Sequence, residues 1–274
     1  VSDQALRISW SRIRNHDECP AKGDLLRRHK SPVQDVRNFF HGNVVDLAMR
    51  RWLSQEEPEP GWMAAQVDAI FEESAQIAKD TGDGIVRWKS LTDKGETLDF
   101  CRELVGRLEP ILLRYAIPFE WQPAVRFSVP IMVPYLDGSM REVLLIGEMD
   151  LMVRDCEGRI AVWDLKATRD NNYYRKVLGQ LAFYAIAVKV LKGQFPAMSG
   201  LIQPMCDTRV LPVTVNRDAV AQMAGRITKT AQDIWAGRLA PKADNAGCAY
   251  CPVKHACPKF SLGGRPGRLS LTAA

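Results

Sequence analysis

Charged residues planted in apolar strands constrain this chain more than any other feature. Residues 141–154 and 159–168 are rich in valine, isoleucine, leucine and methionine, and the turn signal Asp155-Cys156-Glu157-Gly158 separates them. Into these strands the sequence sets Gly147-Glu148-Met149-Asp150 and Val162-Trp163-Asp164-Leu165-Lys166. A hairpin turning near Glu157 puts Asp150 opposite Asp164 on antiparallel neighbours. Side chains alternate along a strand, so Asp164 and Lys166 share a face, and Glu148 and Asp150 share it with them. The surrounding positions, among them Leu144, Ile146, Leu151, Met152, Ile160 and Val162, are apolar. Carboxylates buried there are costly unless they are paired or coordinate a metal. A structural Asp–Lys pair meets that requirement as well as a metal site does.

Helical spacing follows over 173–192, through Val177, Leu181, Tyr184, Val188 and Leu191. Gln180 and Tyr184 are four apart and so lie on one face of this helix, which is expected to pack back onto the strands. The first 120 residues read as mainly helical. Helices are expected over 9–30, with Ser9 or Ser11 as N-cap and Pro20 as a kink or break, and over 37–54, 62–80 and 95–116. A strand over 124–134 enters the hairpin through Leu136-Asp137-Gly138-Ser139. Two shorter strands, 197–204 and 209–215, and a helix over 217–237 come after. Helices, a sheet, a helix packed on it and further strands make an α/β or α+β core. A hydrophobic fraction of 46% against 25% charged residues is enough to bury one, and 274 residues suit a single large domain.

Seven cysteines, an odd number, argue against a complete disulfide framework. Cys101, Cys156 and Cys206 are isolated and read as small core or strand residues. Cys248-Ala-Tyr-Cys251 with Cys257 forms a tight set that needs a fourth ligand, and Cys19, before Pro20, is the natural one. Spacing alone accepts either zinc or a 4Fe–4S cluster on four thiolates, or a mixed zinc site using His255. The net charge of +5 permits an anionic partner. The basic residues crowd two segments, Arg12, Arg14, Lys22, Arg27, Arg28 and Lys30 near one end and Lys254, Lys259, Arg265 and Arg268 near the other. These are either solvated faces or, if the cysteines close on one another, a single basic path for a nucleic-acid strand. No run approaches the ~20 apolar residues that cross a bilayer. The segment VSDQALRISW lacks a cationic-then-apolar leader pattern, so a cytoplasmic location is expected and no membrane partner. No Walker A sequence is present, so an ATP-driven motor would be a separate protein.

The ordered series Gly147 to Asp150, Asp164-Leu165-Lys166, then Gln180 and Tyr184 resembles the motifs of the PD-(D/E)XK nuclease superfamily, RecB-like branch. The Asp-x-Lys tripeptide alone is weak; the series is specific. One cysteine before proline near the N-terminus and three near the C-terminus resemble the iron–sulfur clasp of that branch, as in AddB nuclease domains and CRISPR-associated RecB-like exonucleases. The resemblance implies a restriction-endonuclease-like α/β core, a mixed sheet flanked by helices, with a helical N-terminal region and a C-terminal Fe–S clasp. It implies one domain over 1–260, with a helical insertion at 54–120, a catalytic sheet core at 120–215 and a cysteine clasp at 245–260 closing onto Cys19; residues 261–274 are expected to be a flexible tail.

The same resemblance implies Mg²⁺ or Mn²⁺ on Asp150, Asp164 and the Leu165 carbonyl, with Lys166 acting on the attacking water. Gln180 and Tyr184 would position that water or the phosphate backbone, and Cys19, Cys248, Cys251 and Cys257 would hold a 4Fe–4S cluster. The implied function is exonucleolytic hydrolysis of DNA, at single-stranded ends, in recombination, repair or processing, with a helicase or recombination protein as partner. At one place the pattern is broken. Relatives carry glycine followed four residues later by a histidine ligand; after Gly42 this chain has Asp46, and its nearby histidine, His41, precedes the glycine. Either Asp46 is the ligand, or His41 bends into the site and Asp46 faces solvent. Arg126 likewise stands where relatives often have an acidic residue. These departures leave a second reading, a DNA-binding or scaffold subunit whose chemistry is weakened.

Overall fold

A computed structural model of the chain describes residues 5–29, 37–80, 86–207, 209–242, 248 and 251–261. The expected flexible tail lies outside the described residues apart from Ser261, as do Lys30, Arg265, Arg268 and residues 245–247, 249 and 250 of the expected clasp. The described elements are β1 (Leu6–Ile8), α1 (Trp10–Glu18), α2 (Pro20–Arg28), α3 (Arg37–Leu53), α4 (Trp62–Asp80), α5 (Leu91–Tyr115), β2 (Glu120–Pro134), β3 (Met140–Arg154), β4 (Ile160–Leu165), α6 (Tyr174–Lys192), β5 (Met198–Ile202), β6 (Val210–Pro212), α7 (Arg217–Trp235) and α8 (Pro258–Ser261). Among them no helix is long and apolar enough to cross a membrane.

The chain divides into two compact units. The larger comprises Val33–Ile131 and Leu144–Gly225. Its sheet is mixed: β3 pairs antiparallel with β4, β4 parallel with β5, and β5 antiparallel with β6. Strand β2 also pairs with β3. Helices α3, α4 and α5 pack on one another. Their apolar stripes, including Phe40, Trp52, Phe71, Leu104 and Leu108, enclose a core shared with Leu151, Val153, Trp163 and Ile202 of the sheet. Odd-numbered residues of β3 and β4 thus face these helices, as strand alternation requires. Helix α6 packs on β4 and β5. This is the mixed α/β core, helices flanking a sheet, that the sequence led us to expect.

The smaller unit comprises Val1–Pro32, Met132–Val143 and Arg226–Ala274. Within it α1 is tied to the chain's last third: Arg226 Nε donates to Asp17 Oδ2 at 2.8 Å and Lys242 Nζ to the Asp17 carbonyl at 2.5 Å. Buried His16 lies 3.4 Å from Asp233. At the β2–β3 turn Arg141 lies 3.6 Å over the Tyr135 ring.

Several boundaries differ from the sequence reading for identifiable reasons. The helix expected over 9–30 is two helices, because the residue before a proline is driven out of the α region. Cys19 is accordingly extended, at φ −160° and ψ 113°, and Pro20 opens α2 at a position where its missing N–H costs nothing. Helix α5 starts four residues earlier than 95, since Ser90 Oγ accepts from Asp93 N at 3.0 Å and Asp93 accepts from Lys89 N at 2.8 Å. Strand β6 covers only Val210–Pro212, where Pro212 brings no N–H to the ladder. Strand β1 was not anticipated. Cys156 is exposed in the β3–β4 turn, whereas a strand or core position was expected; Cys101 and Cys206 are buried.

Gly200 of β5 lies where a Cβ would come 2.5 Å from the Trp163 ring and 2.6 Å from the Leu211 carbonyl oxygen. Gly200→Ala is therefore expected to destabilise by about 1–3 kcal/mol through overpacking. Gly225, inside α7 with nothing within 4 Å of a built Cβ, should give the opposite sign, a gain of about 0.5–1 kcal/mol on Gly225→Ala. Urea unfolding of both variants against the parent separates the two; equal midpoints would contradict the packing described at Gly200.

Candidate active site

Strands β3 and β4 set the carboxylates. Their register pairs Leu151 with Trp163 and Met152 with Val162, and one further step sets Asp150 opposite Asp164. Asp150 Oδ2 accepts from Leu165 N at 2.7 Å, which fixes its side chain across the strand gap. Asp164 has no solvent exposure, and neither of its carboxylate oxygens has a hydrogen-bond partner of good geometry. Lys166 Nζ lies 2.7 Å from Asp164 Oδ2, an ion pair that supplies charge without a well-directed bond.

Helix α6 adds a hydrogen-bonded chain behind them. Gln180 Nε2 donates to Tyr184 Oη, and Tyr184 Oη donates to the Glu148 carbonyl, each at 2.7 Å. Gly147 permits this approach: a Cβ there would stand 2.6 Å from the Phe127 ring, which packs edge-on to Tyr184. Burial pushes the Tyr184 hydroxyl well up, so it remains a donor.

Helix α3 brings the remaining charges. Asp46 is ion-paired with Arg50 four residues on, at 2.7 Å. Arg50 also bonds Glu148 Oε1, while Arg126 Nε reaches Glu148 Oε2 at 2.7 Å. Asp46 is close enough to feel Glu148 and Lys166, and Asp150 feels Asp46. Asp46, Asp150, Asp164, Leu165, Lys166, Gln180 and Tyr184 therefore gather in one region. His41 does not join the carboxylates. Its Nε2 lies 3.1 Å from the Ala167 carbonyl, its ring meets Phe100 edge-on, and burial lowers its pKa. Sequence reasoning gave no role to Arg50, although its spacing from Asp46 is that of a helical ion pair. It gave none to Glu148 either.

The four cysteines Cys19, Cys248, Cys251 and Cys257 line one small cavity of the smaller unit, together with Lys22, Lys242 and Lys254. His255 is exposed and stands edge-on to His29, outside that lining. Among the described residues, no three carboxylate, imidazole or thiol groups lie close enough together to hold a single metal ion as they stand.

A sequence model of the PD-(D/E)XK nuclease superfamily matches residues 7–258. The chain belongs to this superfamily. No curated protein matches it. It is similar to the crystal structure of SSO0001, at 18% identity and a TM-score of 0.38, over 88% of this chain and 95% of that one. Membership brings metal-dependent phosphodiester hydrolysis, with Mg²⁺ or Mn²⁺ as the usual ion.

The nuclease's buried carboxylates fit such an ion. Burial raises the pKa of Asp164, with Lys166 opposing. Burial and the neighbouring Asp164 charge push Asp150 up to about 7, against Lys166 and the Leu165 N–H. Two buried oxygen donors that repel each other are what a hard divalent cation relieves. Burial would lower the pKa of Lys166, but Asp164 and Asp150 outweigh it and keep the ammonium charged.

A pH dependence of stability follows. Because the folded-state pKa of Asp150 lies above its unfolded value, the stability tied to its protonation is full below about pH 4 and is lost as pH rises towards 7. In EDTA the protein should lose stability over that window, by at most about 4 kcal/mol from this group. Asp150→Asn should flatten the slope and raise the melting temperature at pH 7. Thermal unfolding across pH 4–8 in EDTA reads both, and an unaltered slope in the variant would rule out the buried Asp150 charge as its source.

Proposed function

We propose that this nuclease is a divalent-metal-dependent deoxyribonuclease of the RecB-like branch, an exonuclease that degrades DNA from single-stranded ends during recombination, repair or processing. The observation that carries the reading is Asp164, a carboxylate with no solvent exposure, set opposite Asp150 so that two buried acids share the one ammonium of Lys166. Buried polar groups in native proteins are nearly always satisfied, and an exception asks for an ion or a catalytic role. Mg²⁺ is commonly held by one or two carboxylates, with water and substrate phosphate completing its shell, so this pair with the Leu165 carbonyl suffices. When bound, the ion acidifies water and draws charge from the scissile phosphate.

The chain's own residues then divide the work. Asp150 and Asp164 hold the ion. Lys166, kept protonated by its two acidic neighbours, donates to the incoming water or to a phosphate oxygen and does not take the proton. Gln180 and Tyr184 fix the backbone at Glu148 and so the strand that carries Asp150. In the smaller unit, four thiols around one cavity are a donor set for a 4Fe–4S cluster. Lys22, Lys242 and Lys254 beside them offer charge to a DNA strand. The preference for single-stranded ends and the helicase or recombination partner rest on the likeness in motif order and cysteine placement.

End-labelled single- and double-stranded DNA, incubated with Mg²⁺, Mn²⁺ or EDTA, tests the activity. Asp164→Ala and Lys166→Ala should each lower cleavage at least about a hundredfold, the order lost with a group acting on water or developing charge. DNA binding, carried by dispersed basic residues, should stay within a few-fold. Wild-type protein that binds DNA but cuts with neither ion would move the reading to a DNA-binding scaffold.

Protein purified without oxygen should be brown, with about four iron and four sulfide per chain, and Cys19→Ser should lower both. Colourless protein carrying one zinc would replace the cluster and leave the nuclease intact.

A further inference from the structure

We infer that Arg50 stands in for a second metal ion: its guanidinium neutralises Asp46 and Glu148, so the centre takes one divalent ion, between Asp150 and Asp164. This rests on the metal-dependent reading above. Four carboxylates meet in the region, Asp46, Glu148, Asp150 and Asp164, and they divide by partner. Asp46 and Glu148 are both bonded to Arg50, and the second Glu148 oxygen is taken by Arg126. Asp164 has the ammonium of Lys166, 2.7 Å from its Oδ2, which it shares electrostatically with Asp150. The Asp150–Asp164 pair is thus the one that would take the ion, while the other pair already meets a guanidinium.

The arginine is well suited to stay. Its guanidinium is charged at every accessible pH, and its Nη2 meets both Asp46 Oδ2 and Glu148 Oε1. Asp46 and Arg50 lie four apart on α3, which aligns them before any tertiary contact forms. All three side chains are mostly buried, Arg50 at 28%, Asp46 at 30% and Glu148 at 27% exposure, so water competes weakly for the contact. Without the arginine, Asp46 would lose its ion-pair partner and Glu148 would keep Arg126 alone, leaving an oxygen of each as a donor for a hard cation.

The test is the number of Mn²⁺ ions bound by the full chain, counted by the loss of the free-ion electron paramagnetic resonance signal on titration. Wild-type protein should bind one, and Asp164→Ala should abolish it. Arg50→Met and Arg50→Gln should each bind two, and adding Glu148→Gln to either should return the count to one. Arg50→Lys, which keeps the charge, should stay at one. Circular dichroism establishes that each variant is folded; the methionine and glutamine variants carry the same expectation, so either suffices. A folded Arg50→Met or Arg50→Gln variant that binds a single ion overturns the assignment of Arg50 while leaving the nuclease reading in place. Two ions bound by the wild type also overturn it. Wild-type protein that binds none removes the metal-dependent reading itself and this inference with it.

Discussion

Removing a carboxylate from water costs several kcal/mol unless cations or donors replace the solvent. At Asp164 the chain accepts that cost inside a sheet, and much of the larger unit compensates for it. Lys166, two residues on and on the same face, contributes charge. The Leu165 N–H holds Asp150 at 2.7 Å, so the second carboxylate stays opposite the first. Helices α3, α4 and α5 supply the apolar burial that keeps this hairpin fixed, through Leu151, Val153 and Trp163. A sheet stabilised by its odd-numbered residues can thus keep even-numbered positions for groups that oppose folding.

The cations around the carboxylates are not equivalent. Lysine is a compact point charge that can turn towards a ligand, and here it serves the most buried acid. Arginine is a rigid fork, and two of them serve Glu148, one of which also binds Asp46. Burial pushes the Glu148 pKa up, but the Arg126 and Arg50 bonds overcome it and hold the carboxylate below its usual range. The neighbouring Asp150 goes the other way. One strand therefore carries two acids, two residues apart, that differ in their readiness to ionise because one has guanidinium partners and the other is deeply buried beside a like charge.

The Asp150–Asp164 register was legible in the sequence because a short turn between two strongly apolar strands fixes it; a slip by one residue would have buried the wrong face. The helix carrying Gln180 and Tyr184 was legible from its spacing. What these residues bond to was not: Tyr184 reaches the Glu148 backbone, a contact no side-chain pattern encodes. Arg50 escaped notice for a different reason. An arginine four residues after an aspartate is common on solvated helices, and only the arrival of Glu148 from a strand 98 residues away makes it part of a site. Strand β1, three residues long, is too short to show alternation. The cysteine set was read from spacing and likeness; that its four members line one cavity is a tertiary fact, as is the extended backbone at Cys19 that Pro20 imposes.

The smaller unit is assembled from three stretches of chain, and the partners of α1 lie between Arg226 and Lys242. On a ribosome adding roughly 5–20 residues per second, helices α1 and α2 are made before these partners and wait for them. The residues that cover Asp17 and His16 emerge on the order of ten to forty seconds later at that rate. During that interval Cys19 has none of its cavity partners, because Cys248, Cys251 and Cys257 have yet to be synthesised. A chain interrupted near residue 225 would hold every residue of the larger unit and leave its first two helices unmatched. For a cell, that ties the covering of Asp17 and His16 to synthesis of the stretch beyond residue 225.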